Sequence, residues 1–208
     1  MGETGGPRAP RGRPRSERAR AAVLAAAAEL LVSGGVQAVS MESIAARARV
    51  SKSTVYKWWP SRGHVMLESL SSLTGDTSAG PAGGGSLADA LTAEVGALVR
   101  AFRDTSAGHL MADLVAAAQA DPGIRTALDE RWVRPRRAAS ARLLHDAVDR
   151  GELRPDTDVA AAVDQLFAPV YHRLLFRHRP LDGDLAATLV RQLLDGLGTG
   201  RGQPAEDR

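Results

Sequence analysis

The stretch "SMESIAARARVSKSTVYKWWPSR", residues 40–62, decides the fold because it encodes two short helices separated by a tight turn. Ser40 can cap a helix over "MESIAARA", in which apolar residues recur on one face. Ser51 can cap the second helix, "KSTVYKWW", and Pro60 ends it because the residue before a proline disfavours the α conformation. Two short helices joined by a turn of about four residues are typical of a helix-turn-helix.

The second of these helices has one face that packs and one that is free. Val55 and Trp59 are four residues apart on the first face, whereas Ser53 and Lys57 are four apart on the other. Serine and threonine hydroxyls can bond to base edges or phosphates in the major groove, and lysine can meet guanine acceptors or backbone charge. Tyr56 can reach a phosphate through its hydroxyl. The pattern therefore predicts a DNA-contacting helix.

This helix also contains both lysines of the chain, Lys52 and Lys57, against 25 arginines elsewhere. Five residues of helix separate their directions by about 140°. Lys57 shares the free face with Ser53 and is predicted to contact DNA specifically, whereas Lys52, at the helix start, is predicted to reach a backbone phosphate. A compact ammonium can fit where a rigid guanidinium fork does not; chance retention of two lysines is the open alternative.

The sequence around the motif predicts an all-α protein. Apolar residues make up 44% of the 208 positions, only eight residues are aromatic, and no run alternates apolar with polar residues as a strand would. Ser16 is expected to cap the first helix, and Pro135 is expected to kink a long one. We expect helices over 16–33, 41–48, 52–59, 61–74, 87–104, 107–120, 122–150, 157–177 and 184–197.

These helices divide into two units. Residues 16–75 are predicted to form the helix-turn-helix domain, and residues 87–200 a larger helical domain. A Gly/Pro/Ser-rich connection over 76–86 joins them. Residues 1–15 are predicted to be a flexible arginine-rich arm, and residues 201–208 a disordered tail.

Positive charge is concentrated at the N-terminal end. Residues 1–65 hold eleven Lys and Arg against four Asp and Glu, and the remainder holds sixteen against twenty. Such asymmetry favours a polyanionic partner for the basic part. Arg13 and Arg15, at the end of the arm, are predicted to contact the minor groove or the DNA backbone. A solubilising tail without DNA contact is the alternative.

Several function classes are excluded or disfavoured. The chain has no cysteine, which removes disulfides, thiol nucleophiles and thiolate metal sites. The longest apolar stretch, residues 21–32, is too short to span a bilayer, and no secretory signal is recognisable, so a cytoplasmic protein without membrane partners is expected. The five histidines are dispersed, and no nucleophile elbow or carboxylate pair is present. We therefore expect no metal, no cofactor and no enzymatic activity.

Residues 40–62 resemble the DNA-binding domain of TetR-type bacterial repressors, which is marked by strings like "TMxSIAARAGVSKSTVYKWWPSK". The resemblance covers residues 16 to about 70. The second half is similar to the family's ligand-binding and dimerisation domain only in helix order and in "RWVRPRR" and "LFAPVYHRLLF". The resemblance implies DNA contacts by Ser40, Thr54, Tyr56 and Lys57, with Ser51, Lys52, Ser53 and Trp58 close by.

Two positions depart from the family pattern. Arg49 stands where the turn usually has glycine, and a left-handed conformation there would cost an arginine about 1–2 kcal/mol. Attraction to a DNA phosphate would compensate for this cost. Arg62 stands where the family usually has a phosphate-binding lysine, so the resemblance implies a phosphate contact for Arg62 as well.

The second half is predicted to bind an effector and to dimerise. Its aromatic and apolar residues suggest a pocket for a small molecule with an apolar or aromatic part, although core packing is the simpler interpretation of each one. The effector candidates are Phe102, Met111, Trp132, Phe167, Tyr171 and His172. The final helical hairpin is expected to pack against its twin as a four-helix bundle. The dimer candidates are Val163, Leu166, Val170, Leu174, Leu189, Leu193 and Leu197.

Together these features predict a ligand-responsive transcriptional regulator, most often a repressor, that binds a palindromic operator as a homodimer and is released by a small molecule. An architectural DNA-binding protein without an effector, whose second half only dimerises, is the main alternative. An adaptor whose basic half docks an acidic protein is a weaker one.

Overall fold

The computed structural model describes residues 13–74 and 85–199 of the chain, and the regular structure in these ranges is helical. The α-helices are α1 Arg13–Gly34, α2 Met41–Ala48, α3 Lys52–Tyr56, α4 Arg62–Thr74, α5 Leu87–Asp104, α6 Ala107–Ala118, α7 Pro122–Leu128, α8 Arg134–Asp149, α9 Val159–Phe176 and α10 Leu185–Leu197. A 3-10 turn covers Val36–Ala38 and a π turn covers Asp129–Val133. The all-α prediction is confirmed.

Helices α1 to α4 form the N-terminal unit around an apolar core. Ile44 of α2 and Val55 of α3 are completely buried, and Trp59, three residues after the end of α3, is 1% exposed. Full burial of such a side chain stabilises the fold by about 1.5–3 kcal/mol. The indole N–H of Trp59 donates to Glu68 Oε2 of α4 at 2.7 Å. The angle between α2 and α3 is therefore fixed by packing from below, which leaves their outer faces free.

Helix α4 joins the N-terminal unit to the second domain by packing against α7. Gly63 lies at this crossing, and a Cβ added there would be 2.9 Å from the carbonyl oxygen of Gly123 and 3.0 Å from Cα of Ile124. Real side chains do not approach backbone so closely, so glycine permits the contact between the two helices. Ile124 itself is completely buried beneath the crossing.

The long helix expected over 122–150 is interrupted near Pro135 by the π turn rather than by a simple kink. Pro135 lies in the first turn of α8, and the backbone N–H of Arg134 bonds to the carbonyl of Asp129, five residues back. Proline has no N–H to continue the α ladder and clashes with the carbonyl four residues earlier. The wider turn before it accommodates that clash and turns Trp132 into the core, where it is completely buried.

Two predicted helix boundaries differ from the structure by three residues. Helix α1 begins at Arg13, so Ser16 is not its N-cap and the arm does not extend to residue 15. Pro14 lies in the first turn, where its fixed φ suits a helix start. Helix α3 ends at Tyr56 rather than at residue 59. The remaining arm (1–12), most of the predicted connection (76–84) and the predicted tail (201–208) lie outside the described residues.

The predicted dimer residues pack mainly inside their own protomer. Val163, Leu166, Val170 and Leu193 are between 0 and 6% exposed, so these four do not form an interface with a second chain. Amphipathic helices bury their apolar stripe against their own domain first, and the sequence pattern does not distinguish that stripe from a subunit interface. Leu174, Leu189 and Leu197 are half-buried at the edge of the core, and their interface role stays a prediction.

Candidate DNA-binding surface and effector pocket

Side-chain caps fix the helix-turn-helix. The Ser40 hydroxyl accepts from the backbone N–H of Ser43 at 3.0 Å, and the Ser43 hydroxyl accepts from the N–H of Ser40 at 2.9 Å. The hydroxyl of Ser51 accepts from the N–H of Thr54 at 3.2 Å and so caps α3. Arg49, the C-cap of α2, has φ 55° and ψ 42°, the left-handed conformation that usually favours glycine. These caps satisfy the helix ends around the turn.

The outer face of α3 presents the predicted DNA-contacting residues. Ser53, Tyr56 and Lys57 are exposed, with Tyr56 retaining 52% of its accessible surface. Thr54 is half-buried, and its hydroxyl lies 2.8 Å from that of Ser51. Trp58 is half-buried and packs edge-on against Trp59. The exposed set therefore combines hydroxyls with a cation, the chemistry that suits base edges and phosphates.

The two lysines differ in their environments. Lys52 forms an ion pair with Glu42 in the first turn of α2, which raises the pKa of Lys52 and lowers the pKa of Glu42. Within the described ranges, no carboxylate lies within salt-bridge distance of Lys57. Among the described residues, Lys57 has no ion pair to break before it could contact DNA, whereas Lys52 would have to leave or share Glu42.

Arg62 lies between the two domains. Its guanidinium donates to the carbonyl of Val39 at 3.0 Å and to Asp121 Oδ2 at 2.9 Å. Asp121 also caps α7, because its Oδ1 accepts from the N–H of Gly123 at 2.8 Å. The hydrogen bond from Arg62 is the main reason why the pKa of Asp121 lies below its ordinary value. The phosphate contact predicted for Arg62 stays a prediction, and it would compete with this bridge.

His64 makes a second link between α4 and the second domain. Its ring is buried, with Nδ1 2.9 Å from the Ser61 hydroxyl and Nε2 3.1 Å from Oε2 of Glu130. Glu130 belongs to the π turn that also contains Trp132. Sequence reasoning missed both interdomain links because their partners are 59 and 66 residues apart in the chain.

An apolar cavity of about 350 Å³ lies among α6, the π turn, α8 and α9. Its volume is within the range of about 300–1,000 Å³ that is typical of small-molecule sites. Its lining residues are Met111, Val115, Leu128, Trp132, Val133, Arg136, Arg137, Asp164, Phe167, Ala168, Tyr171 and Leu175.

Trp132 and its contacts bring polar groups to the cavity lining. The indole N–H of Trp132 donates to the hydroxyl of Tyr171 at 2.7 Å, and burial raises the pKa of that hydroxyl. The guanidinium of Arg136 lies 3.6 Å from the centre of the Trp132 ring. Phe102 stacks on the same ring with centroids 6.1 Å apart. These contacts restrain the indole, which therefore forms a rigid part of the cavity wall.

The same two-domain arrangement appears in known sequence families. Residues 23–68 match the family described as "Bacterial regulatory proteins, tetR family", and residues 81–193 match "Tetracyclin repressor-like, C-terminal domain". The chain belongs to the TetR family. It is accordingly a DNA-binding transcriptional regulator of the helix-turn-helix class.

Individual relatives of this TetR-family chain cover nearly its whole length. An uncharacterised HTH-type transcriptional regulator of Bacillus subtilis, YdeS, is 34% identical over 187 residues, which are 90% of this chain and 93% of the relative. The DNA-binding transcriptional repressor TetR of Mycobacteroides abscessus is 30% identical over 180 residues, covering 86% and 94%. The crystal structure of the TetR family transcription regulator SCO0332 superposes with a TM-score of 0.71 at 40% identity, covering 86% and 98%.

The effector residues predicted for this TetR-family regulator fall into three groups. Met111, Trp132, Phe167 and Tyr171 line the apolar cavity. Phe102 is buried behind Trp132 and does not line the apolar cavity. His172 is exposed, contacts the rings of Phe176 and His178, and does not line the cavity either, so its effector role stays a prediction without support from the cavity. One residue of helix, about 100°, turns it away from Tyr171.

Arg136, Arg137 and Asp164 line the cavity but were missed. For Arg136 the sequence "RWVRPRR" contained a signal, because Arg136 follows Trp132 by four residues and so shares its helical face. Arg137 and Asp164 pair across α8 and α9, a contact between distant segments that no local pattern reveals.

Two negative observations concern the described ranges 13–74 and 85–199. They contain no group of three or more histidine or acidic residues placed to hold a metal ion. None of their helices combines the length and the apolar character needed to cross a membrane.

Proposed function

We propose that the protein is a repressor that binds a palindromic operator as a homodimer and leaves it when a small molecule with an apolar or aromatic part enters the apolar cavity. One observation carries the proposal. Trp132, which walls the cavity, and Glu130, which contacts His64 of the DNA-binding unit, belong to the same π turn.

The π turn provides a route from ligand to DNA. A ligand that prefers a shifted position of Trp132 biases the turn, and with it the His64–Glu130 contact and the neighbouring Arg62–Asp121 bridge. Both contacts hold α4, which packs directly beneath α1 and so sets the direction of the DNA-binding unit. A ligand changes DNA affinity only by its differential affinity for the two conformations, typically a coupling of about 1–3 kcal/mol.

Dimerisation supplies the spacing that a palindrome requires. Two recognition helices must enter successive major grooves about 34–36 Å apart. The inward faces of α9 and α10 are occupied by the protomer core, so their outward faces form the interface. Phe176, which is 70% exposed, and Leu175, which is 41% exposed, supply apolar surface there. Exposed apolar side chains of this size favour a subunit contact.

The oligomeric state tests this part of the proposal. Phe176→Glu should shift the full-length protein from dimer to monomer in sedimentation velocity at micromolar concentration. Val32→Glu is the matched control, because Val32 is 62% exposed but lies on α1 in the DNA-binding unit. Equal dimer content in both variants would contradict an interface at the end of α9.

Ligand control is tested on DNA from the chain's own promoter region. Fluorescence anisotropy should show sequence-selective binding, and compounds that raise the melting temperature should release the DNA. Ala168→Trp, on the cavity lining, should leave DNA affinity unchanged but abolish both effects of the compound. Continued release from this variant would contradict the cavity as the effector site.

The architectural alternative differs in one measurable respect. An effector-free protein would bind DNA with the same affinity in the presence of every compound tested, and no compound would raise its melting temperature by binding in the cavity. The apolar cavity of about 350 Å³ favours the ligand-responsive function.

A further inference from the structure

A second cavity, of about 460 Å³, is formed where α5 ends, α6 begins and α9 turns towards α10. The charged groups in its lining are the guanidinium groups of Arg103, Arg173, Arg177 and Arg179, and His109 lies beside them. Neither aspartate nor glutamate is among the described lining residues. The apolar cavity described above differs, since its lining includes an acidic residue and is mostly apolar.

Two of the four guanidinium groups are held in place by neighbouring acceptors. Arg103 donates to both carboxylate oxygens of Asp104, at 2.6 and 2.8 Å. Arg173 donates to the carbonyl of Pro180 and to Asp182, each at 2.8 Å, and its side chain is only 18% exposed. These contacts restrict the side chains before any ligand arrives, which reduces the entropy that binding would cost.

The other two guanidinium groups lack such neutralisation. In the part of the chain that the structure describes, no carboxylate lies within salt-bridge distance of Arg177 or Arg179. Arg177 follows the last residue of α9 in the left-handed conformation, with φ 51°. Cations at the ends of α5 and α9 are favoured by the helix dipoles, which accounts for Arg103 and Arg173. That explanation does not extend to Arg179, which lies beyond the helix in the turn before α10.

We propose that this basic cavity binds the phosphate group of a small molecule, either a free diphosphate-type anion or the phosphorylated head of an amphipathic compound. Arginine presents a planar set of donors that matches phosphate oxygens in pairs. A group with two negative charges offsets the repulsion among neighbouring cations, which a neutral ligand cannot do. The site goes beyond the proposed apolar effector, and its occupation does not require operator binding.

Phe102 connects the basic cavity with the apolar cavity, which bears on whether the ligand has an apolar tail. Phe102 lines the basic cavity, and its ring contacts Trp132 and Tyr171, which line the apolar cavity. An amphipathic phosphate that displaced this ring would place its head among the arginines and its tail in the apolar cavity. A free anion would use the basic cavity alone.

Calorimetric titration of the full-length protein distinguishes these cases with three probes: pyrophosphate, octyl phosphate and octanol. Arg177→Gln/Arg179→Gln should weaken pyrophosphate and octyl phosphate binding by about 10- to 100-fold, because each lost partner is a charge-assisted bond. Arg18→Gln/Arg131→Gln is the control, since it removes the same net charge from exposed positions outside the cavity. Arg179→Gln alone is a second test variant, because Arg179 lies between α9 and α10 and its replacement should not disturb either helix.

Either of two binding results would identify the type of phosphate ligand. Octyl phosphate binding at least tenfold tighter than pyrophosphate, with octanol weak, supports an amphipathic ligand, whereas comparable affinities support a free anion. The proposal is overturned if neither phosphorylated probe binds, or if the control pair weakens binding as much as the cavity pair. DNA is absent from these titrations, so a failure of the proposed repressor function would not alter their result.

Discussion

Replacing Arg49 by glycine separates the stability of the turn from its use in DNA binding. The left-handed conformation, with φ 55°, costs a non-glycine residue about 1–2 kcal/mol. Glycine loses more conformational freedom than arginine on folding, and this offsets roughly 0.5–1 kcal/mol of the stability gained by removing that strain. Arg49→Gly should therefore raise the free energy of unfolding by about 0.5–1 kcal/mol, or the melting temperature by roughly 1–4 °C for a chain of this size.

DNA binding should change in the opposite direction. Arg49 is exposed between α2 and α3, and loss of one phosphate contact should flatten the slope of log affinity against log salt by about 0.9 per protomer. Anisotropy titrations over a range of salt concentrations measure this slope, and thermal melts measure the stability.

Arg177→Gly is a matched control, because Arg177 has nearly the same conformation, φ 51°, at the end of α9. It should gain similar stability and leave the salt slope unchanged. The phosphate role of Arg49 would be refuted if Arg49→Gly bound DNA as tightly as the parent with an unchanged slope, or if both variants lost affinity equally.

Three further predictions follow from charged residues. Lys57→Ala should weaken specific more than non-specific DNA binding, whereas Lys52→Ala should weaken both alike, as compared on operator and scrambled duplexes. Asp121→Asn keeps the cap but removes the ion pair with Arg62, so it should lower the free energy of unfolding by up to about 1 kcal/mol. The pKa of Asp121 is lowered in the folded state, so urea titrations should show the full difference in free energy of unfolding between parent and variant at pH values above 3.8, the ordinary pKa. The difference should disappear as the pH falls through the lowered pKa. Burial raises the pKa of Glu94, so the folded state binds its proton more tightly than the unfolded state does, and the free energy of unfolding should fall as the pH rises above 4.5. Glu94→Gln should remove this pH dependence and be more stable than the parent at neutral pH.

Local patterns predicted the DNA-binding unit well. The caps Ser40 and Ser51 act within three residues, and the left-handed turn at Arg49 follows from a single position. The predicted start of α1 was wrong because two local signals compete there. Proline favours the first turn of a helix, so Pro14 starts α1 before Ser16.

The second domain was less predictable because its decisive contacts join distant segments. An apolar stripe on α9 looks the same whether it faces its own core or a second chain, which is why Val163 and Leu166 were assigned to the dimer. Four of the six effector candidates line the apolar cavity, but Arg136 and Asp164 were missed because charge is usually read as exposed surface.

The crossing of α4 and α7 at Gly63 sets how stiffly the two domains are connected. An ordinary helix pair is separated by a layer of side chains that can change rotamer and absorb a small displacement. At Gly63 the backbones approach so closely that an added methyl group would lie 2.9 Å from the carbonyl oxygen of Gly123. At this point no side chain lies between the two backbones to absorb a displacement, so a shift of α7 should move α4 and the DNA-binding unit with it.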